Sequence, residues 1–161
     1  MNSEITFLLR ALDEAFDRKS WHGTNLRGSL RRLNAAEAAW RPAPGRHSIR
    51  EIVVHCAYWK YAVRRRMLGH KRGSFPLKGS DWFVRSDGDG ESGWREDLAL
   101  LEHEHAQLRA AARGLKASRL PARPPGSTVT YGHLLRGIIA HDLYHAGQIQ
   151  LIKRLARTGR T

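Results

Sequence analysis

The stretch TYGHLLRGIIAHDLYHAGQIQLIKRLARTG, residues 130 to 159, decides the fold. Its apolar residues Leu134, Leu135, Ile138, Ile139, Ile149, Ile152 and Leu155 recur at steps of three and four. That is the period of an amphipathic helix, not the alternation of a strand. Thr130 is a good N-cap residue and Gly159 a natural stop. Inside this helix stand His141 and His145. Residues four apart share a helix face, with Cβ atoms about 5–6 Å apart, so both imidazoles can reach one ion.

Working upstream, the same period returns three times. Trp94, Leu98, Leu101, His105 and Leu108 predict a helix from about Trp94 to Leu115, closed by the Pro-rich loop Pro121 to Gly126. Ser48-Ile49-Arg50-Glu51 is a capping box, in which the Ser hydroxyl accepts the Glu amide and the carboxylate reaches back. It opens a helix with Ile49, Ile52, Val53, Cys56, Val63 and Met67 on one stripe and Gly69 at its end. Ile5, Leu8, Leu9, Leu12 and Phe16 predict the first helix, about Ser3 to Lys19, broken by Trp21-His22-Gly23. A shorter helical piece follows at Leu26, Leu30 and Leu33, and Asn34 to Glu37 caps another brief turn. Arg41-Pro42-Ala43-Pro44-Gly45 then forces a loop.

Between Gly69 and Gly93 lies a Gly/Ser/Asp-rich connection carrying Phe75, Trp82 and Phe83. Connections of that length in small domains are lids, binding loops or crossovers. Three aromatics favour a crossover that also walls a pocket. Four long helices without strands make an all-α, four-helix bundle with a long crossover connection, expected as one domain over residues 1–161.

Composition narrows the function classes. The chain has 161 residues and 41% hydrophobic content, ordinary for a soluble domain. No run is long and apolar enough for a bilayer span, and the N-terminus does not read as a signal peptide, so the cytoplasm is the expected compartment. One cysteine, Cys56, excludes a cysteine-based zinc finger. The net charge of +13 raises nucleic acid as a partner. However, the arginines are scattered, residues 81 to 104 are acidic, and no helix-turn-helix or RNA-recognition signature is present. Nucleic acid is therefore not the expected partner.

The third ligand for His141 and His145 must come from another helix. His55, amid the apolar stripe one turn past Glu51, is well suited. Three neutral imidazoles with an open fourth position describe a catalytic-type site for zinc or a similar borderline metal. Gln148, on the His145 stripe, can orient substrate or bound water, and Glu51 and Trp59 flank His55. Asp142 points about 100° from His141, which suits it to fix another helix or a ligating ring.

Other residues carry less. His103 and His105 fall on nearly opposite faces and cannot chelate together. Glu102 and Glu104 read as a solvated face, and Cys56 as a small buried hydrophobe. His133 lies about 12 Å up the axis from His141, too far to join one ion. The tryptophans at 21, 40, 59, 82 and 94 read as core and pocket walls. Ser86-Asp87-Gly88-Asp89-Gly90 lacks the lysine of a phosphate loop and the spacing of a calcium loop.

His55-Cys-Ala-Tyr-Trp59 and His141-Asp-Leu-Tyr-His145-Ala-Gly147-Gln148-Ile149 resemble the signature of the DinB-like superfamily. Trp21-His22-Gly23, Trp40-Arg41-Pro42 and His47-Ser48-Ile49 resemble one branch of it, so the likeness covers nearly the whole chain. The resemblance implies a four-helix bundle, a homodimer, and one divalent metal held by His55, His141 and His145. Zinc is the first expectation, with nickel, manganese or iron open. It further implies a metal-dependent thiol S-transferase joining a low-molecular-weight thiol to a small-molecule electrophile. The ligand set serves equally for a metal-dependent hydrolase, or for a non-catalytic metal-containing stress-response or ligand-binding protein.

Overall fold

The Ser48 capping box forms as its sequence dictates: the Ser48 hydroxyl accepts the Glu51 amide, and the Glu51 carboxylate accepts the Ser48 amide. It launches the helix that carries His55. A second capping box forms at Asn34 with Glu37. The computed structural model describes residues 3–85 and 89–158. Over these it gives helices α1 (Ser3–Phe16), α2 (Leu26–Ser29), α3 (Ala35–Ala39), α4 (Ile49–Leu68), α5 (Gly90–Gly114) and α6 (Tyr131–Thr158). A 3₁₀ turn, Ala117–Arg119, follows α5. The described residues contain no strand, and the fold is all-helical.

Two boundaries differ from expectation. Helix α1 ends at Phe16 rather than near Lys19, because the amides of Asp17 and Arg18 both turn onto the Asp13 carbonyl. Helix α5 starts four residues early, at Gly90 instead of Trp94. Its first turn is held by tertiary contacts that no local pattern records: the Glu91 carboxylate accepts the Ala35 amide at 2.8 Å. Gly93 fits against Arg50 and Asp89, where a Cβ would come within 3.0 Å of both side chains. Of Ser86-Asp87-Gly88-Asp89-Gly90, the first three lie outside the described residues.

Helix α4 packs on α5 and α6, and α1 packs on the same two, so α1 and α4 stand diagonally across the bundle. Arg50 bonds Asp97 at 2.8 Å, and further along both helices Arg64 bonds Glu104 at 3.0 Å. Both pairs run in the same order, so α4 and α5 are parallel. The connection from Gly69 to Asp89 must therefore travel back along α4, which at 20 residues is about 30 Å long. This is the crossover expected from the sequence. Its aromatics pack back onto α4, with Phe75 and Phe83 against Tyr58 at 5.3 and 5.4 Å between ring centroids.

The interior divides into two apolar clusters. One joins Phe16, Leu26, Ile49, Ile52, Val53, Trp94, Leu101, Ile149 and Ile152. The other joins Ile5, Leu9, Leu12, Val63, Met67, Leu108, Leu134, Leu135 and Ile138. Between them lies a buried polar belt of His55, Lys60, Glu104, His105, Asp142 and His145. Glu104 thus departs from its expected solvated position, because Arg64 neutralises it. Leu155, placed on the α6 stripe, is exposed, and Trp21 is fully exposed rather than a core or wall residue.

Candidate metal centre

Helices α4 and α6 bring His55, His141 and His145 to one point at the edge of this belt. His141 Nε2 lies 3.1 Å from His55 Nε2 and 3.2 Å from His145 Nε2. All three ligand atoms fall within 4.8 Å of one another. The far side of two rings fixes their tautomers. His55 Nδ1–H donates to the Asp81 carbonyl at 2.9 Å, and His145 Nδ1–H donates to Gln148 Oε1 at 2.7 Å. The proton of each ring thus faces outward and the Nε2 lone pair inward.

Burial keeps the rings neutral. It drives His141 to about 3, helped by His145, His55 and Lys60, and His145 to about 4, helped by His55. His55 is lowered by the same cause, against the pull of the Asp81 carbonyl and carboxylate. The inward lone pairs of His55 and His145 need a positive partner, which either the Nε2 proton of His141 or a shared cation supplies. Four-coordinate zinc with Zn–N of about 2.0–2.1 Å sets neighbouring nitrogens about 3.3 Å apart, close to the spacing seen. The residues fit a divalent cation.

The crossover completes the site with Asp81, which the sequence reading did not find, and with Trp82, expected there as a pocket-wall aromatic. Asp81 adopts a left-handed backbone, φ 67°, which Asp tolerates better than most residues. Its carbonyl holds His55, while its carboxylate accepts Trp59 Nε1–H at 2.8 Å and lies 3.3 Å from His55 Nδ1. Trp82 stacks between His55 and His47, at 3.9 and 3.6 Å between centroids. The only sequence signal for Asp81 was its place in an aromatic-bearing loop too long to be a plain linker.

The remaining candidates separate. Gln148 orients His145 and donates through Nε2 to the Tyr144 hydroxyl at 2.9 Å. Glu51 faces away from the triad: Arg41 clamps it bidentately at 2.6 and 2.7 Å, with His47 at 3.4 Å. Asp142 takes the first of its two expected roles, fixing another helix through a fully buried ion pair with Lys60 of α4. Cys56, His141 and Asp142 form a second close group. Lys60 already pairs with that carboxylate through Oδ2, and complete burial pushes the Cys56 thiol well above its usual range, which disfavours a thiolate there. His103 and His133 are exposed and apart from the triad.

A bundle with a cluster of three neutral histidines, two of them buried and the third half-buried, belongs among helical proteins that carry a possible metal site. The sequence matches the DinB superfamily over residues 18–149, and the chain belongs to it. Its fold is similar to that of the crystal structure described as the conserved protein of locus from Enterococcus faecalis. The TM-score is 0.70 at 18% identity, covering 96% of this chain and 97% of the other. No curated protein matches the sequence. Among the described residues, no helix is long and apolar enough to cross a membrane.

Proposed function

We propose that this protein is a metal-dependent thiol S-transferase in which His55, His141 and His145 hold one divalent ion, zinc before nickel, manganese or iron. One observation carries the reading: three Nε2 atoms from two helices converge, with the Nδ1 protons of His55 and His145 anchored on the outside. When bound, the ion supplies Lewis acidity that favours thiolate over thiol. Burial keeps the three imidazoles unprotonated and available as donors. Asp81 and Gln148 hold two of the rings in register, and Trp82 shields one face of His55 from water.

The substrates are a low-molecular-weight thiol and a small electrophile. The thiol proton passes to solvent, and the sulfur lone pair forms the new S–C bond. In a halide or epoxide the carbon–halogen or carbon–oxygen bond breaks with its electron pair staying on the halogen or oxygen; in an activated alkene the π pair shifts away from the attacked carbon and takes up a proton from solvent. Water in place of the thiol turns the same arrangement into a hydrolase.

Metal analysis of purified protein is expected to find roughly one divalent ion per chain. Thiol loss should be followed with several cellular thiols and a panel of halides, epoxides and activated alkenes. His145→Ala should keep its helical circular dichroism but lose both ion and turnover. Ester hydrolysis without thiol consumption would move the assignment to the hydrolase. A wild-type protein that takes up no divalent ion, or a His145→Ala variant that binds one equally well, would end the metal reading.

A further inference from the structure

We infer that the cleft between the turn after α2 and the last turns of α6 binds a small ligand carrying two or more clustered phosphate groups. The cleft has a volume of about 870 Å³ and is lined by Arg31, Arg32, Lys153, Arg154 and Arg157. On α6, nine residues at 100° each put Arg154 on the face opposite His145, so this cleft is separate from the histidine cluster. The inference does not depend on the metal reading.

Cations near a helix C-terminus have a bland explanation, since they complement the helix dipole. That accounts for Lys153, Arg154 and Arg157. It does not account for Arg31 and Arg32, which a different element brings to the same place. Lys153 Nζ donates to the Ser29 carbonyl at 2.8 Å and the Arg31 carbonyl at 3.0 Å, tying that turn onto α6. The turn is also strained. Arg32 has φ 60°, a left-handed conformation that is strained for a non-glycine residue.

Holding these cations together works against stability. Burial first, and then the nearby Arg157, lower the Lys153 ammonium, with Arg32 adding to the effect and Glu37 opposing it. Among the described residues, Arg31, Arg32, Arg154 and Arg157 make no ion pair with a carboxylate. Glu37, the acid that acts on Lys153, is engaged as the capping partner of Asn34. Guanidinium forks match the geometry of phosphate oxygens, and an oligophosphate would relieve the repulsion.

On the side facing α5 the basic surface is bounded, and this favours a compact ligand over a nucleic-acid strand. The adjoining groove between α2 and α5 mixes Arg27 and Arg31 with Asp17 and Glu102, and Glu102 pairs with Arg27 at 2.9 Å. The volume also lies within the usual range for small-molecule sites, about 300–1,000 Å³.

Titration calorimetry with inorganic pyrophosphate on the full chain tests the inference, with amide chemical-shift mapping to locate the ligand. One saturable site is expected, with shifts at Ser29 to Arg32 and Lys153 to Thr158. The double substitution Arg32→Gln and Arg157→Gln should weaken binding about tenfold or more, and Arg123→Gln, a surface control, should leave it unchanged. Binding should survive His145→Ala, which separates it from chelation at the histidine cluster. Arg32→Gly should weaken binding in a protein at least as stable as wild type, since glycine relieves the strain. No saturable binding, equal weakening by Arg123→Gln, or loss in His145→Ala would each overturn the assignment. So would tighter binding of a single-stranded oligonucleotide that depends on the same arginines.

Discussion

His141, half-buried, and His105, buried, are two histidines of the same low basicity in different surroundings. Burial drives both to about 3, and Lys60 pushes both in the same direction. Each has a buried Nδ1 without a hydrogen-bond partner. His105, however, lies flat on Phe16, 3.6 Å between centroids at 10°. His141 instead aims Nε2 at two other imidazole nitrogens. Depressed basicity therefore marks an apolar seat, and an orphaned nitrogen marks a dry one. Only convergence of lone pairs marks a place for a cation.

Lys60 reaches both regions, so its loss should have the largest effect. Its ammonium pairs with Asp142 beside His141 and stands 5.1 Å over the Phe16 ring on which His105 stacks. Lys60→Met leaves the Asp142 carboxylate buried and unpaired, with Oδ1 already lacking a partner. Removing one member of such a pair costs about 3–5 kcal/mol. Urea unfolding should show a loss of that size. Lys60→Met combined with Asp142→Leu should recover most of it, because the pair as a whole is worth little against apolar packing. A single variant as stable as wild type would show that the belt is hydrated and that the burial argument fails for both histidines.

The second test asks whether His105 is a plain core residue. The unfolded chain takes up its proton near 6.5, whereas the folded chain resists it until about 3. The folded state thus binds fewer protons between these values, so stability falls as pH drops below 6.5 and levels off only below about 3. Between pH 7 and pH 5 the contribution is about 2 kcal/mol, at 1.36 kcal/mol per pH unit below 6.5. Wild type should lose that much more than His105→Leu over the same interval, measured by urea unfolding at each pH. Parallel pH curves would mean that His105 is protonated or solvated in the folded state. Metal content should be unaffected by His105→Leu.

What the sequence made legible follows from the range of the forces involved. Helix periods and the Ser48 cap are local, and they suffice to locate α4, α6 and the three histidines. His55 was recognisable because α4 carries it on a stripe that otherwise holds apolar residues. Trp82 was legible only as a pocket-wall aromatic and Asp81 not at all, since their exact position depends on how a connection returns along a helix parallel to the next one. Glu51 shows the opposite failure. One turn from His55 it looked like a site residue, yet Arg41, from a loop of two prolines, claims it. Glu104 looked exposed for the same reason: its partner Arg64 is 40 residues away in sequence.

The smallest expected effect concerns the orientation of the rings. His55 is oriented by a backbone carbonyl, which no side-chain substitution removes; His145 is oriented by Gln148, which can be replaced. Gln148→Leu deletes the acceptor for His145 Nδ1–H and releases the ring to either tautomer. Loss of such an outer partner typically weakens metal affinity about 10- to 100-fold. The lower end, about tenfold, is expected here because burial against α4 still restrains the ring. Gln148→Glu should instead bind the ion at least as tightly as wild type, since a carboxylate raises the donor strength of the imidazole it holds. Competition titration with a chromophoric chelator reads both changes. If Gln148→Leu and Gln148→Glu bind zinc equally, His145 does not use Nδ1–H to present Nε2. The distinction between the triad and His105 would then rest on proximity alone.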